Sequence, residues 1–173
     1  SKASYGVRKG NAAAERVLEI LESENPIQNA PNAIEKEDFQ TEIEFKNVSF
    51  KYEDDYVLKN FNLNIPKGKT VALVGQSGSG KSTVANLVSR FYDVNEGEVL
   101  LDGQNIKNVS KSSLRQLMGF VTQDSILFND TVRNNISLGK EDATDEEIQA
   151  AAKIANAHEF IKELPNGYDT NIG

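Results

Sequence analysis

Cysteine is absent from this sequence of 173 residues, and histidine occurs once, at His158. A chain without thiols can form neither a disulfide framework nor a thiolate zinc site. A single imidazole also excludes a metal site built from several histidines. The composition therefore rules out disulfide-rich scaffolds and the common His/Cys metalloenzymes.

Long apolar runs are missing as well. The run Val71–Val74 has four residues, whereas a helix that crosses a bilayer needs about 20. The opening residues Ser1-Lys2-Ala3 are not followed by an apolar segment of the kind that a signal peptide contains. From the sequence we expect this chain by itself to be soluble.

Positive charge is in deficit, since the net charge is −7. A broad nucleic-acid-binding surface is not expected from such a chain, and we predict no nucleic-acid partner. The acidic residues are concentrated at the two ends. Residues 41–140 carry 12 basic and 11 acidic side chains, so the middle of the chain is the expected place for an anionic ligand.

The spacing of apolar residues predicts several elements. Residues 12–24 have the periodicity of a helix, and residues 25–40, with two prolines, read as a linker. Alternating patterns predict strands over 42–52 and 57–65, and Gly97–Leu101 predicts another that closes in the turn pair Asp102-Gly103. Continuous apolar runs predict two strands of a buried parallel sheet, Thr70–Val74 and Met118–Thr122. Further helices are expected at 82–90, 112–117, 144–156 and 159–164, and Thr144-Asp145-Glu146-Glu147 fits a capping box at the start of the third.

A glycine-rich segment follows the first of these buried strands. Gly75-Gln76-Ser77-Gly78-Ser79-Gly80-Lys81-Ser82 matches the pattern G-x-x-x-x-G-K-[ST]. Glycines let the backbone curl so that successive N–H groups point at phosphate oxygens, and the following helix adds its positive end. Lys81 can reach the β- and γ-phosphates, and the Ser82 hydroxyl can ligate Mg²⁺. The segment predicts a nucleotide-binding loop.

With its surroundings, this loop resembles the ATP-binding domain of an ABC transporter of the exporter type, most similar to lipid and multidrug exporters. The resemblance covers nearly the whole chain. It includes the Walker A region (Val71–Thr83), the aromatic A-loop (Phe50-Lys51-Tyr52), the Q-loop and its continuation (Phe120–Asp124, Leu127-Phe128, Thr131–Ile136), the start of the X-loop (Tyr168–Gly173), and the helix that leaves the last membrane span (residues 2–24).

The resemblance implies a role for each matching residue. Tyr52 would stack on adenine, with Tyr56 a weaker candidate. Lys81 and Gln123 would act in catalysis, and Ser82 and Gln123 would contact Mg²⁺. The nucleotide would be bound by Tyr52 together with Gly75, Gln76, Ser77, Gly78, Ser79, Gly80, Lys81, Ser82 and Thr83. His158 is expected to be a helical residue, at the surface or partly buried.

The resemblance also implies a fold and a parent protein. We expect an α/β fold: an incomplete parallel core of the P-loop NTPase type, an antiparallel β-subdomain and an N-terminal linker helix. Residues 1–40 would be the linker that follows a transmembrane domain, and residues 41–173 the N-terminal part of the ATP-binding domain. The parent would bind ATP and Mg²⁺ at the cytoplasmic face of the plasma (inner) membrane. It would pair with a second ATP-binding domain, in a homodimer or heterodimer, and export a lipid or another hydrophobic or amphipathic compound.

Three family motifs do not occur in the 173 residues: the Leu-Ser-Gly-Gly-Gln signature, the strand that ends in Asp-Glu, and the switch histidine. We therefore expect a chain truncated before the signature motif, which binds nucleotide but does not hydrolyse it efficiently. Three alternatives stay open. A GTPase or small-molecule kinase would share the loop, although no Asn/Thr-Lys-x-Asp guanine motif is present. A soluble ABC ATPase would lack the lead-in of residues 2–24, and a regulatory pseudo-ATPase would bind nucleotide without turnover.

Overall fold

The structure is a computed structural model that describes residues 11, 14–19, 21, 26–122, 126–140 and 142–173. Two compact units make up the chain, residues 1–119 and residues 120–173. The predicted boundary at residue 40, between a linker and the domain that follows it, stays a prediction. Across the described ranges, no helix combines the length and the apolar character needed to cross a membrane.

An antiparallel sheet of four strands forms the first unit, in the order β2-β1-β3-β4. Its strands are β1 (Glu42–Lys51), β2 (Tyr56–Pro66), β3 (Glu96–Leu101) and β4 (Gln104–Asn105). The predicted alternating segments are therefore strands, and the antiparallel β-subdomain is confirmed. The β3–β4 turn is made by Asp102 and Gly103, whose φ angles are +51° and +76°, as expected for a tight hairpin with a primed turn.

Two helices and a 3₁₀ turn cover one face of this sheet. They are α1 (Lys81–Val88), the 3₁₀ turn Ile106–Asn108 and α2 (Lys111–Gln116). The inward side chains of β1 and β3 pack against these helices, because alternate residues of a strand point to the same face. The core includes Phe45, Val48, Val99, Leu101, Leu87 and Leu114. This packing holds the start of α1 at a defined place beside the sheet.

The prediction of two strands in a parallel core is wrong for this structure. Neither Thr70–Val74 nor Met118–Thr122 forms a strand, and Val74 and Val121 are 91% and 95% exposed. An apolar run becomes a buried strand only when neighbouring strands meet its backbone groups. The sheet of the described residues ends at β2 and β4 and includes neither run. The mixed α/β class itself is confirmed, because the antiparallel sheet and its helices are present.

The second unit is helical. Its described residues form α3 (Val132–Ser137), α4 (Asp145–Ile154), α5 (His158–Lys162) and a 3₁₀ turn, Gly167–Asp169. Val132, Ala152 and Ile161 form its small core. The capping box predicted at Thr144 is present, with reciprocal hydrogen bonds between Thr144 and Glu147. The helix α3 was not predicted as an element, since its apolar face is only two residues wide.

Candidate nucleotide-binding site

The glycine-rich loop leads directly into α1. Two of its glycines, Gly78 and Gly80, have φ angles of +80° and +86°, in the region that residues with a Cβ rarely adopt. A Cβ on Gly80 would lie 2.8 Å from the Leu58 Cδ2 atom, and one on Gly75 would lie 2.5 Å from the Ser79 Oγ atom. The loop therefore needs glycine for its curvature and for its close approach to β2.

The N-terminus of α1 offers its charge and donors to a ligand. Its N-cap is Gly80, which has no side chain to cap the first turn, and that turn contains no acidic residue. The first N–H groups of a helix have no partner within the helix, and the helix dipole makes this end positive. Residues 75–79 and Ser82 are exposed. An anion can reach this end of the helix from solvent.

Lys81 brings a full positive charge to the same place. Its Nζ donates to the carbonyl oxygens of Gly75 and Gln76 at 2.9 and 2.7 Å, and it lies 3.3 Å from the Ser79 Oγ atom. The side chain therefore folds back across its own loop. Phosphate oxygens entering the loop can replace some of these acceptors, and an ammonium group has three donors to share.

Tyr52 is joined to this helix by a hydrogen bond. Its hydroxyl lies 3.2 Å from the Thr83 Oγ1 atom and accepts a long hydrogen bond, 3.5 Å, from the Asn86 Nδ2 atom. The Tyr52 side chain is 47% exposed, so an aromatic surface is available to a base. The predicted stacking residue and the predicted phosphate loop thus meet at α1, with Thr83 as the link between them.

The other residues that the sequence singled out are Gln123, Tyr56 and His158. Gln123 lies outside the described residues. Tyr56 donates a hydrogen bond to the Glu96 Oε1 atom on the sheet, and the negative charge of Glu96 raises the pKa of the Tyr56 hydroxyl. His158 is partly buried at the start of α5, where its Nδ1 lies 2.8 Å from the Tyr168 hydroxyl. The helical, partly buried position of His158 agrees with the sequence-based expectation.

Two contacts of Tyr52 were not anticipated. Asn86 lies one turn into α1, and Tyr92 follows the end of that helix. The rings of Tyr52 and Tyr92 are 5.0 Å apart and nearly perpendicular. The sequence feature that could have indicated this contact is the aromatic pair Phe91-Tyr92, shortly after α1. Nothing in its spacing shows which of the two rings faces Tyr52.

The loop and helix residues fit a nucleoside triphosphate. The curvature permitted by glycine, the uncapped helix end and Lys81 suit a chain of phosphates, and the exposed Ser82 hydroxyl suits Mg²⁺ bound along with them. In the part of the chain that the structure describes, no group of three or more His, Cys, Asp or Glu side chains could hold a metal ion.

Comparison with known proteins gives consistent matches. A family model described as "ABC transporter" matches residues 58–171. The "ATP-dependent lipid A-core flippase" of Syntrophus aciditrophicus (strain SB) is 50% identical over 167 residues, which are 96% of this chain and 28% of that protein. A "Putative multidrug export ATP-binding/permease protein" of Staphylococcus aureus (strain NCTC 8325 / PS 47) is 52% identical over 159 residues, or 91% of this chain and 28% of the relative.

A solved structure is similar as well. A bacterial Atm1-family ABC exporter with ATP bound superimposes with a TM-score of 0.84 and 41% sequence identity. The match covers 96% of this chain and 30% of that one. The chain thus spans less than a third of the length of these relatives.

Proposed function

Because this chain belongs to the ABC transporter family, we propose that it is the nucleotide-binding part of an ABC exporter. In the whole protein, ATP binding and hydrolysis would drive the export of a lipid or another hydrophobic or amphipathic compound. The names of the relatives, a lipid A-core flippase and a multidrug export protein, support this class of cargo.

One observation carries the proposal: Tyr52 shares a 3.2 Å hydrogen bond with Thr83. Thr83 lies in the first turn of α1, two residues after Lys81. The hydrogen bond therefore places an exposed aromatic ring beside the phosphate loop. A ligand that contacts both the Tyr52 ring and the phosphate loop needs an aromatic base and several phosphates, and a nucleotide has both.

Different residues of the site bind the phosphates, the base and the metal ion. The loop N–H groups and Lys81 bind the β- and γ-phosphates, where charge-assisted hydrogen bonds are strongest. Tyr52 stacks on adenine. Ser82 and Gln123 would hold Mg²⁺, which would supply neutralisation of the charge on the phosphate oxygens. Gln123 would touch Mg²⁺ or the attacking water and would relay the state of the nucleotide to the membrane domain.

The partners follow from the family. We propose that the complete polypeptide contains a transmembrane domain, and that this chain binds ATP at the cytoplasmic face of the plasma (inner) membrane. A second ATP-binding domain, from an identical or a related chain, would complete the hydrolysis site. The small share of the relatives' length that this chain covers, 28%, and the word permease in one relative's name support this arrangement.

Calorimetry on two variants tests the binding roles. Lys81→Ala should weaken binding of Mg²⁺–ATP strongly and binding of adenosine little, because the ammonium group meets only phosphates. Tyr52→Ala should weaken adenosine and ATP alike, since base stacking on an aromatic ring contributes about 1–3 kcal/mol. Lys140→Ala, which removes an exposed lysine of the second unit, is the matched control and should change neither affinity.

The result that contradicts these roles is an equal effect of both variants on both ligands. A separate measurement addresses the whole protein: phosphate release by the full-length parent with Mg²⁺ and ATP. Nucleotide binding without phosphate release in the parent would favour the regulatory pseudo-ATPase instead of the exporter.

A further inference from the structure

Three aromatic rings form a cluster at the end of β1. The ring of Tyr52 lies 4.8 Å from that of Phe50, with 87° between the planes, and 5.0 Å from that of Tyr92, with 88° between the planes. Phe50 and Tyr92 also contact each other at 5.7 Å. Phe50 is 3% exposed and belongs to the core, whereas Tyr92 is 43% exposed. Tyr52 is therefore held between a core ring and a surface ring.

The Tyr52 side chain keeps one main rotation, that of its ring about the long axis. Its backbone follows β1 directly, and its hydroxyl is bonded to Thr83. With both ends of the side chain held, the ring can still rotate about its own long axis, because the torsion between Cβ and an aromatic ring is broad. Rings packed perpendicular to it oppose that rotation. Tyr92 and Phe50 thus set the plane that Tyr52 presents.

Contacts on both sides of Tyr92 hold the segment that carries it. Tyr92 lies between Arg90 and Asp93, whose side chains form an ion pair at 3.0 Å, and Arg90 is 3% exposed. Two residues beyond Asp93, Asn95 is tied to β1. The Asn95 N–H donates to the Ser49 carbonyl at 3.2 Å, and its Oδ1 accepts from the Lys51 N–H at 2.9 Å. The segment that carries Tyr92 is therefore held by the Arg90–Asp93 ion pair and by the hydrogen bonds between Asn95 and β1.

We propose that Tyr92 is a positioning residue for base binding, which acts by fixing the ring plane of Tyr52. Stacking requires the planes of the base and the Tyr52 ring to be parallel. If the ring can rotate freely, fixing its plane on binding costs conformational entropy and weakens the affinity for the base. This inference rests on the proposed function, since it assumes that Tyr52 stacks on adenine. It adds a residue that contacts Tyr52 in this structure and for which no contact with the nucleotide is assumed.

The test measures the affinity of Tyr92→Leu for Mg²⁺–ATP and for inorganic triphosphate. Tyr92→Leu should weaken ATP binding about three- to tenfold, less than a direct loss of stacking, and change triphosphate binding less than twofold. Tyr92→Phe keeps the ring and should bind both as the unaltered chain does. Tyr168→Leu removes a tyrosine of the second unit and should leave both affinities unchanged. If Tyr92→Leu does not fold, Tyr92→Met takes its place with the same expectations.

A double variant separates positioning from a general structural effect. In the Tyr52→Ala background, Tyr92→Leu should have no further effect on ATP binding, because the ring it positions is gone. Additive losses, or equal losses of ATP and triphosphate affinity, would overturn the inference. If Tyr52→Ala weakens ATP binding and Tyr92→Leu does not, this inference alone fails. If Tyr52→Ala leaves ATP binding unchanged, the base-stacking role in the proposed function fails with it.

Discussion

Two glycines of the phosphate loop share a backbone conformation but differ in their surroundings. Gly78 and Gly80 have φ angles of +80° and +86°; a Cβ on Gly78 meets nothing within 4 Å, whereas one on Gly80 lies 2.8 Å from a Leu58 methyl group. Gly78→Ala should lower the free energy of unfolding by about 1–2 kcal/mol from backbone strain alone. Gly80→Ala should cost about 1–3 kcal/mol more from overpacking. Urea unfolding measures both, and equal losses would contradict the crowding argument.

Among the described residues of the first unit, Asp102 is the most heavily hydrogen-bonded carboxylate. Lys36 pairs with it at 2.7 Å, and it accepts from the N–H groups of Gln40 and Thr41 at 2.9 and 2.7 Å. Burial opposes its ionisation, but Lys36 and these N–H groups outweigh burial and hold the pKa of the Asp102 carboxyl well below its usual range. The residue joins the β3–β4 turn to the beginning of β1.

This arrangement predicts a pH-dependent contribution to stability. A carboxyl group with a lowered pKa in the folded state stabilises the fold above its unfolded pKa of about 3.9, and the contribution is lost as pH falls below that value. Asp102→Asn should lower the free energy of unfolding at pH 7 by about 1–2 kcal/mol. The difference should shrink as pH falls below about 4.

Urea unfolding at a series of pH values measures this difference. Asp38→Asn is the matched control: Asp38 lies 3.8 Å from the same Lys36, but its side chain is 60% exposed. A loss caused by Asp102→Asn that stays constant down to pH 2 would be inconsistent with the lowered pKa.

At the scale of elements, Arg90 joins the segment before β1 to the end of α1. Its guanidinium donates to the Gln28 carbonyl at 3.0 Å, to the Val109 carbonyl at 3.2 Å and to Asp93 at 3.0 Å. The side chain is 3% exposed. The same segment pairs with the region after β4, where the Ile34 N–H donates to the Asn108 carbonyl at 2.8 Å. The predicted linker is therefore packed along the first unit over its described residues.

Loss of Arg90 should release this segment. Arg90→Met keeps much of the apolar stem but removes the guanidinium hydrogen bonds to two carbonyls and to Asp93. We expect it to lower the free energy of unfolding by about 2–4 kcal/mol. It should also speed hydrogen exchange in residues 26–36. Arg115→Met is the matched control, because Arg115 is exposed and its bonds to backbone carbonyls are longer, 3.3 and 3.4 Å. Equal losses for the two variants would refute the role given to Arg90.

At the scale of the whole molecule, an apolar segment is left in solvent. Val71, Leu73 and Val74 are 40%, 37% and 91% exposed, and exposed apolar segments of this kind favour association. Val74→Lys should reduce self-association of the 173-residue chain, measured by sedimentation, and change the free energy of unfolding by less than about 0.5 kcal/mol. Val99→Lys, at a site that is 2% exposed, should unfold the chain. If Val74→Lys self-associates as strongly as the unaltered chain, copies of the chain do not associate through this segment.

The chain by itself should hydrolyse ATP slowly. Its 173 residues contain neither the signature sequence nor the strand that ends in Asp-Glu, and loss of even one preorganised donor costs about 10²–10³ in rate. We expect phosphate release from Mg²⁺–ATP well below 1 s⁻¹, roughly the lower end for enzymes. Turnover near that value that disappears in Lys81→Ala would contradict this expectation.

By itself, the sequence determined the features that depend on neighbouring residues. The Gly75–Ser82 loop, the Asp102-Gly103 turn and the Thr144 capping box were all predictable, because glycine conformations and capping hydrogen bonds involve residues a few positions apart. The strands β1, β2 and β3 were predictable for the same reason, since the alternation of apolar residues is local.

Only the tertiary structure decided the contacts between distant parts of the chain. Arg90 bonds to Gln28 across 62 positions, and Tyr52 meets Thr83 across 31. The apolar run Thr70–Val74 has the composition of a buried strand, yet it forms none in this structure. The reason is physical: an apolar run records a preference for burial, whereas a strand also requires a second strand to pair with its backbone, and local sequence does not specify that partner.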